Sequence, residues 1–316
     1  MTMSLSESIL LTSIPLHLKR VVQGTDFGPA WQAACIRSWK DAGFRVISLN
    51  TADEVNGIRS FAPGIDFLEI PNGHPRPLIT DFFTAAAGID AEIAGIINAD
   101  CLLIDHTELA RRLANHLDGL AVVERFNVDR NTLRPTGQTC FGFDAFFFTT
   151  AALPAIECNA SWRIGDNWFD YWLPLTFYFA GFEPRTLPGP ILMHLDHDRA
   201  WDWQVWETHF LRFLEFFRNH ESNLHDAELL AAMRALPSTP QTPDIHRLSR
   251  RIYDWLRSRK PLWKPENGSV DDLLGRFLNA LATPPTPPPV GRTRAVMRYV
   301  ADRFRLWPAL DALGLR

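Results

Sequence analysis

The sequence predicts an α/β protein: a mixed, mostly parallel sheet flanked by helices, with a helical C-terminal region. Three observations lead there. From residue 9 to about 150, short apolar runs alternate with amphipathic segments, the pattern of parallel strands joined by crossover helices. After residue 150 tryptophan becomes dense and the segments lengthen to helical size. A chain of 316 residues with 46% hydrophobic content can also bury a core sufficient for one large or two medium domains.

The first strand is expected over 9–14. The apolar stretch there is interrupted by Thr12, Ser13, Pro15 and His17 and preceded by Glu7, so it reads as a buried strand rather than a spanning or targeting segment. Further strands are expected at 45–49, 67–70, 93–97, 120–124 and 145–149. Residues 29–42 read as a helix, with Pro29 in its first turn, Ala33, Ile36 and Trp39 at helical spacing, and Gly43 just past its end. Helices at 80–87 and 106–117 follow. The segment 201–220 is apolar on nearly every face, as a buried helix is, and 225–235 and 244–259 are further helices. Five prolines within 283–289 exclude a helix or central strand and give an extended linker, after which 292–306 is a short basic amphipathic helix. The expected organisation is therefore a sheet domain over 5–200, a helical region over 201–282, a linker over 283–291 and a tail over 292–316.

A formal net charge of −4 and a pI near 6.2 give no overall attraction to nucleic acid. The four cysteines form no C-x-x-C pair, which argues against a zinc ribbon or a disulfide framework and for a reducing, cytoplasmic compartment. No G-x-G-x-x-G follows a strand, and neither G-x-x-x-x-G-K-[ST] nor G-x-S-x-G occurs, so dinucleotide dehydrogenases, P-loop phosphotransferases and serine hydrolases lose support.

Chemistry is concentrated in a few places. Asn98-Ala99-Asp100 closes the strand ending at Ile97, and in open α/β sheets ligands gather outside the carboxyl ends of strands. A carboxylate there can hold a hard divalent cation against a diphosphate, and Asn98 can reach a ribose hydroxyl or a metal-bound water. The same triplet can equally be a polar pair ending a buried strand. Gly165-Asp166-Asn167-Trp168-Phe169-Asp170-Tyr171-Trp172 in helical form sets Asp166 and Asp170 on one face and Trp168 and Trp172 on another. Asp166 is expected to cap that helix. Carboxylates suit proton removal from an acceptor hydroxyl, and aromatic faces suit a sugar ring. Met193-His194-Leu195-Asp196-His197 follows an apolar run and can complete a metal shell through His194 or His197, with His194 favoured if 191–195 is a strand. In the loop before Thr80, Arg76 can approach a diphosphate with Asp81 orienting it. Asp144, in an aromatic strand, can hold a sugar hydroxyl or start the strand.

The order of these features, with Leu10-Leu11-Thr12-Ser13-Ile14-Pro15, Val46-Ile47-Ser48-Leu49-Asn50 and the nearby Glu54, resembles the GT-A class of nucleotide-sugar-dependent glycosyltransferases. More narrowly it resembles a bacterial group with a Gly-Asp-x-Trp-aromatic-Asp-Tyr-Trp segment. The resemblance implies transfer of a sugar from a nucleoside diphosphate to an acceptor hydroxyl (carbohydrate, lipid-linked or protein), assisted by Mn²⁺ or Mg²⁺. It implies Asp166 as base ahead of Asp170, and Asp100 with a late histidine as metal ligands. Thr12, Ser13, Pro15, Asn50, Glu54, Arg76, Asp81, Asn98, Ala99, Asp100, Asp144 and Trp168 would line the nucleotide-sugar pocket. A carbohydrate- or protein-binding module of the same fold is the alternative, since Asn98 stands where many relatives have a carboxylate. A metal-dependent phosphohydrolase, suggested by His194 and His197-Asp198, would need an all-helical fold. The basic helices at 246–264 and 292–307 can rest on an anionic membrane, or form a charged solvent face over a packed stripe.

Overall fold

The computed structural model of the chain describes residues 7–22, 25–70, 74–104, 108–130, 135–158, 161–189, 191–197, 202–237 and 240–264. Its strands are β1 (Glu7–Thr12), β2 (Val21–Val22), β3 (Thr25–Asp26), β4 (Arg45–Asn50), β5 (Asp66–Glu69), β6 (Ala91–Ile97), β7 (Cys101–Leu103), β8 (Leu120–Val128), β9 (Pro135–Thr149), β10 (Arg185–Thr186) and β11 (Leu192–Leu195). Its helices are α1 (Gly28–Asp41), α2 (Ala52–Arg59), α3 (Ile79–Ala87), α4 (Leu109–His116), α5 (Phe169–Phe179), α6 (Trp203–Asn219), α7 (Ala227–Arg234) and α8 (Thr242–Arg257).

One mixed sheet runs in the order β5-β4-β1-β6-β9-β8-β11-β7, with β10 joined to β8. The strands β5, β4, β1 and β6 are parallel, so their carboxyl ends share one edge. From β1 the chain steps outward to β4 and β5, then crosses back to β6 on the other side of β1. The gap between the carboxyl ends of β1 and β6 is thus a topological switch point, where ligands of open α/β sheets bind. Period-two alternation builds the two faces of the sheet. Ile9 and Leu11 face a core shared with α3, α5, α6, α7 and α8, whereas Leu10 faces a second core with α1 and α4.

The mostly parallel α/β class and the C-terminal helices are as expected, and helix α2 and strand β7 were not anticipated. A capping box starts α2: the Thr51 backbone N–H donates to Glu54 Oε2 at 3.2 Å, a T-x-x-E signal present in the sequence. Basic helix α8 buries Leu248, Ile252, Trp255 and Leu256 in the core, so its apolar stripe faces protein and its arginines face solvent. No described helix is long and apolar enough to cross a membrane. The expected linker and tail at 283–316 lie outside the described residues.

Gly95 occupies the middle of β6 because Leu10 and Phe147 close over it; a Cβ there would stand 2.6 Å from Leu10 Cδ1 and 2.7 Å from Phe147 Cδ1. Gly95→Ala is expected to destabilise the fold by about 1–3 kcal/mol through overpacking, read as a lower urea midpoint. An unchanged midpoint would contradict this packing.

Candidate functional site

The switch point is built by helix α1 gripping the main chain just beyond β6. Trp31 Nε1 donates to the Asp100 carbonyl at 2.8 Å, Gln32 Nε2 to the Ala99 carbonyl at 2.7 Å and Trp39 Nε1 to the Cys101 carbonyl at 2.8 Å. Ser38 Oγ accepts from the Leu103 N–H at 3.1 Å. These four side chains recur at helical spacing on the buried face of α1, so one rigid helix fixes the turn from β6 into β7. The carboxylate of Asp100 emerges from that turn.

Strand β11 lies between β7 and β8 and sets His194 opposite Cys101, one residue beyond Asp100. His194 Nε2 stands 3.3 Å from Asp100 Oδ2. The strand stops at Leu195, Asp196 Oδ1 accepts from the His197 N–H, and His197 turns back until its Nε2 is 3.7 Å from the same oxygen. The sequence leaves open which histidine serves; the structure brings both to Asp100. Arg20 Nη2 also pairs with Asp100 Oδ2. Burial raises the Asp100 carboxyl, but His194, Arg20 and His197 outweigh it and hold the group well below the usual carboxylate range.

These residues fit a divalent cation. One atom from each of Asp100, His194 and His197 lies within 4.8 Å of the others, a carboxylate-imidazole set suited to first-row metals. Nε2 is the ring nitrogen of His194 that faces Asp100, while among the described residues its buried Nδ1 has no hydrogen-bond partner, nor has the buried Oδ1 of Asn127, its register neighbour on β8.

A second polar group adjoins the first through β9. Asn98 Nδ2 donates to Asp144 Oδ1 at 2.9 Å, and Arg125 Nη1 pairs with Asp144 Oδ2 at 2.6 Å. Asp144 reaches them because it is a bulge: Val123 pairs with Ala145 and Glu124 with Phe143, leaving Asp144 extra. Asp170, in the first turn of α5, accepts from the Phe143 N–H at 3.4 Å beside Gly142 and Arg125. Burial, reinforced by the charge of Asp144, pushes the Asp170 carboxyl up to about 7.

Several expected site residues take other roles. Helix α5 begins at Phe169, not at Gly165, and its cap position is Trp168 with φ +71°. Asp166 therefore does not cap it. Its Oδ2 accepts from the Arg163 N–H at 3.0 Å and its Oδ1 pairs with Arg76 at 2.9 Å, which closes a turn ahead of the helix and separates Asp166 from Asp170. Trp168 is buried against Tyr171, Trp206, Phe210 and Phe213 and offers no open face for a sugar. Asp81 caps α3 by accepting from the Leu78 N–H at 2.8 Å, so Arg76 is oriented by Asp166 and not by Asp81. Asn50 is fully buried: its amide donates to the Ile14 carbonyl and to Glu54, and its Oδ1 accepts from Ser48. Thr12 is also buried and donates to the Ile97 carbonyl at 2.8 Å, tying β1 to β6. Asn50, Glu54 and Thr12 thus shape the edge from within. Ser13 and Pro15 remain at its partly open rim, and Ser13 Oγ donates to the Pro75 carbonyl at 3.4 Å. Ala99 takes part only through its carbonyl.

Sequence reasoning missed Arg20, Arg125 and the α1 clamp. The clamp had a signal, since Gln32 and Ser38 interrupt the apolar face of α1. Cys35 and Cys101 are free thiols, and burial pushes both up, which leaves them inert.

The sequence matches no family model and no curated protein. Similar solved structures include S. aureus TarS in complex with UDP-GlcNAc, at 11% identity over 98% of this chain and 92% of that chain, TM-score 0.46. A mannosyltransferase from Pyrobaculum calidifontis in complex with GDP-Man and Mn²⁺ is 12% identical over 98% and 85%, TM-score 0.43. CMP:2-keto-3-deoxy-manno-octonic acid synthetase complexed with CTP is 10% identical over 67% and 99%, TM-score 0.38. At such scores the likeness is distant, and what the site can do follows from its own residues.

A raised Asp170 has a consequence for stability. The unfolded chain loses this proton near pH 4 while the folded chain keeps it to about pH 7, so the contribution of Asp170 to stability falls as pH rises through that window. Asp170→Asn should shift stability relative to wild type in favour of the variant between pH 5 and pH 8, measured by urea unfolding. The same difference at both pH values would contradict the assigned environment.

Proposed function

We propose that the chain is a glycosyltransferase of GT-A type that moves a sugar from a nucleoside-diphosphate sugar to an acceptor hydroxyl. The observation that carries this reading is the convergence of Asp100, His194 and His197 at the switch point between β1 and β6. These three would hold Mn²⁺ or Mg²⁺, which when bound neutralises charge on the departing diphosphate. Ser13 and Pro15 at the end of β1 supply the rim for base and ribose.

Asp170 replaces Asp166 as the favoured base. Asp166 is held by Arg76 and the Arg163 N–H, whereas Asp170 adjoins Asp144, which is linked to Asp100 through the Cys101 thiol. A carboxyl near 7 also suits proton transfer at neutral pH better than an ordinary one. In an inverting displacement the acceptor oxygen bonds to the anomeric carbon, the bond to the diphosphate oxygen breaks, and ionised Asp170 takes the acceptor proton. The Phe143 N–H and the nearby charge of Arg125 hold that carboxylate.

Calorimetry with UDP and with GDP, each with and without Mn²⁺, tests the reading. Binding of one nucleotide is expected to need Mn²⁺ and to weaken at least tenfold in His197→Ala. Failure of both nucleotides to bind under either condition would overturn it, and binding without transfer or donor hydrolysis would favour a carbohydrate- or protein-binding module. Asp170→Asn should leave nucleotide affinity within about twofold and lower kcat by roughly 10²–10⁴. Unchanged kcat would remove Asp170 as base.

A further inference from the structure

Arg20 is the charged group at this site that the proposed reaction does not use. Its backbone is pinned: the N–H donates to Asp26 Oδ1 at 3.0 Å, and the carbonyl accepts from the Phe27 N–H at 2.7 Å. Asp26 Oδ1 also accepts from the Gly28 N–H at 3.0 Å, and Gly28 is required there because a Cβ would strike the Leu18 carbonyl. The long side chain is held at its tip alone. Nη1 donates to the Lys19 carbonyl at 2.9 Å, Nη2 pairs with Asp100 Oδ2, and the buried Nε has no partner among the described residues.

The oxygen that Arg20 holds is the one both histidines approach. A divalent cation bound through that oxygen and two imidazoles would stand against the guanidinium. With neutral histidines, Arg20 and Asp100 cancel; adding the cation leaves a net charge of about +2 among largely buried side chains. Such a site demands an anion, and a guanidinium with an unused donor edge is suited to a phosphate.

We propose that Arg20 couples cation and anion binding: it neutralises Asp100 in the free protein, is displaced from the carboxylate when a divalent cation binds, and then contacts the diphosphate of a nucleotide. The proposal rests on the metal site assigned above. It makes Arg20 an obstacle to the bare metal and a ligand for the metal-nucleotide complex, so removal of its charge has opposite effects on the two.

Mn²⁺ affinity followed by electron paramagnetic resonance, and Mn²⁺-UDP and Mn²⁺-GDP affinity followed by calorimetry, test this on the full chain. Arg20→Met should bind bare Mn²⁺ at least tenfold more tightly than wild type and whichever Mn²⁺-nucleotide wild type prefers at least tenfold more weakly. Arg20→Lys, which keeps the charge, should stay within about threefold of wild type for bare Mn²⁺. Arg20→Gln repeats the measurement if the methionine variant does not fold. Changes of the same sign for both ligands, or no change, would overturn the coupling while leaving the metal site intact. If neither wild type nor variant binds Mn²⁺, the metal site falls and the coupling with it.

Discussion

The grip of α1 on residues 99–103 is the constraint from which the site follows. A turn at the end of a buried strand would otherwise leave its carbonyls to water. Here two indoles and an amide take three successive carbonyls at residues 99, 100 and 101, and a serine oxygen takes the N–H of Leu103. Each such bond is worth about 1 kcal/mol net, so together they over-determine the turn. The Asp100 side chain is consequently held at one place, and β7 starts in a fixed register with β11. That register delivers His194 opposite Cys101, and the end of β11 delivers His197.

The second polar group depends on a defect in the sheet. A regular β9 would turn Asp144 toward the aromatic core with Phe146 and Phe148. The bulge puts Phe143 there instead and releases Asp144 to Asn98 and Arg125. Asp144 is thereby close enough to Asp170 to raise its carboxyl, and Arg125 moderates the effect. The Asp100–histidine cluster and Asp170 thus stand on opposite sides of Asp144, whose Oδ2 lies 3.8 Å from the Cys101 Sγ that is itself 3.9 Å from Asp100 Oδ1.

Most of the fold could be read from the sequence because strand and helix periodicities are local. The runs at 45–49 and 93–97 and the helix at 29–42 lie within two residues of β4, β6 and α1. What could not be read depends on distant partners. Arg20 meets a residue 80 positions away, and Trp168 is buried by side chains of α6, which no local pattern around Gly165 reveals. The misplaced start of α5 has the same origin, since the left-handed turn at Trp168 is set by that packing. Asp144 was half legible: a lone carboxylate in an aromatic run marks it, but the bulge that puts Phe143 and Phe146 on one face and turns Asp144 away depends on pairing with β8. The choice between His194 and His197 could not be made because β11 ends between them and both return to Asp100.

Asp100, His194 and His197 are placed to form one divalent-cation site at the switch point. Anomalous scattering from crystals soaked in Mn²⁺ tests it most directly. A single strong peak is expected within bonding distance of Asp100 Oδ2, His194 Nε2 and His197 Nε2. A peak elsewhere in the protein, or none at Mn²⁺ concentrations that saturate the protein in solution, would contradict it.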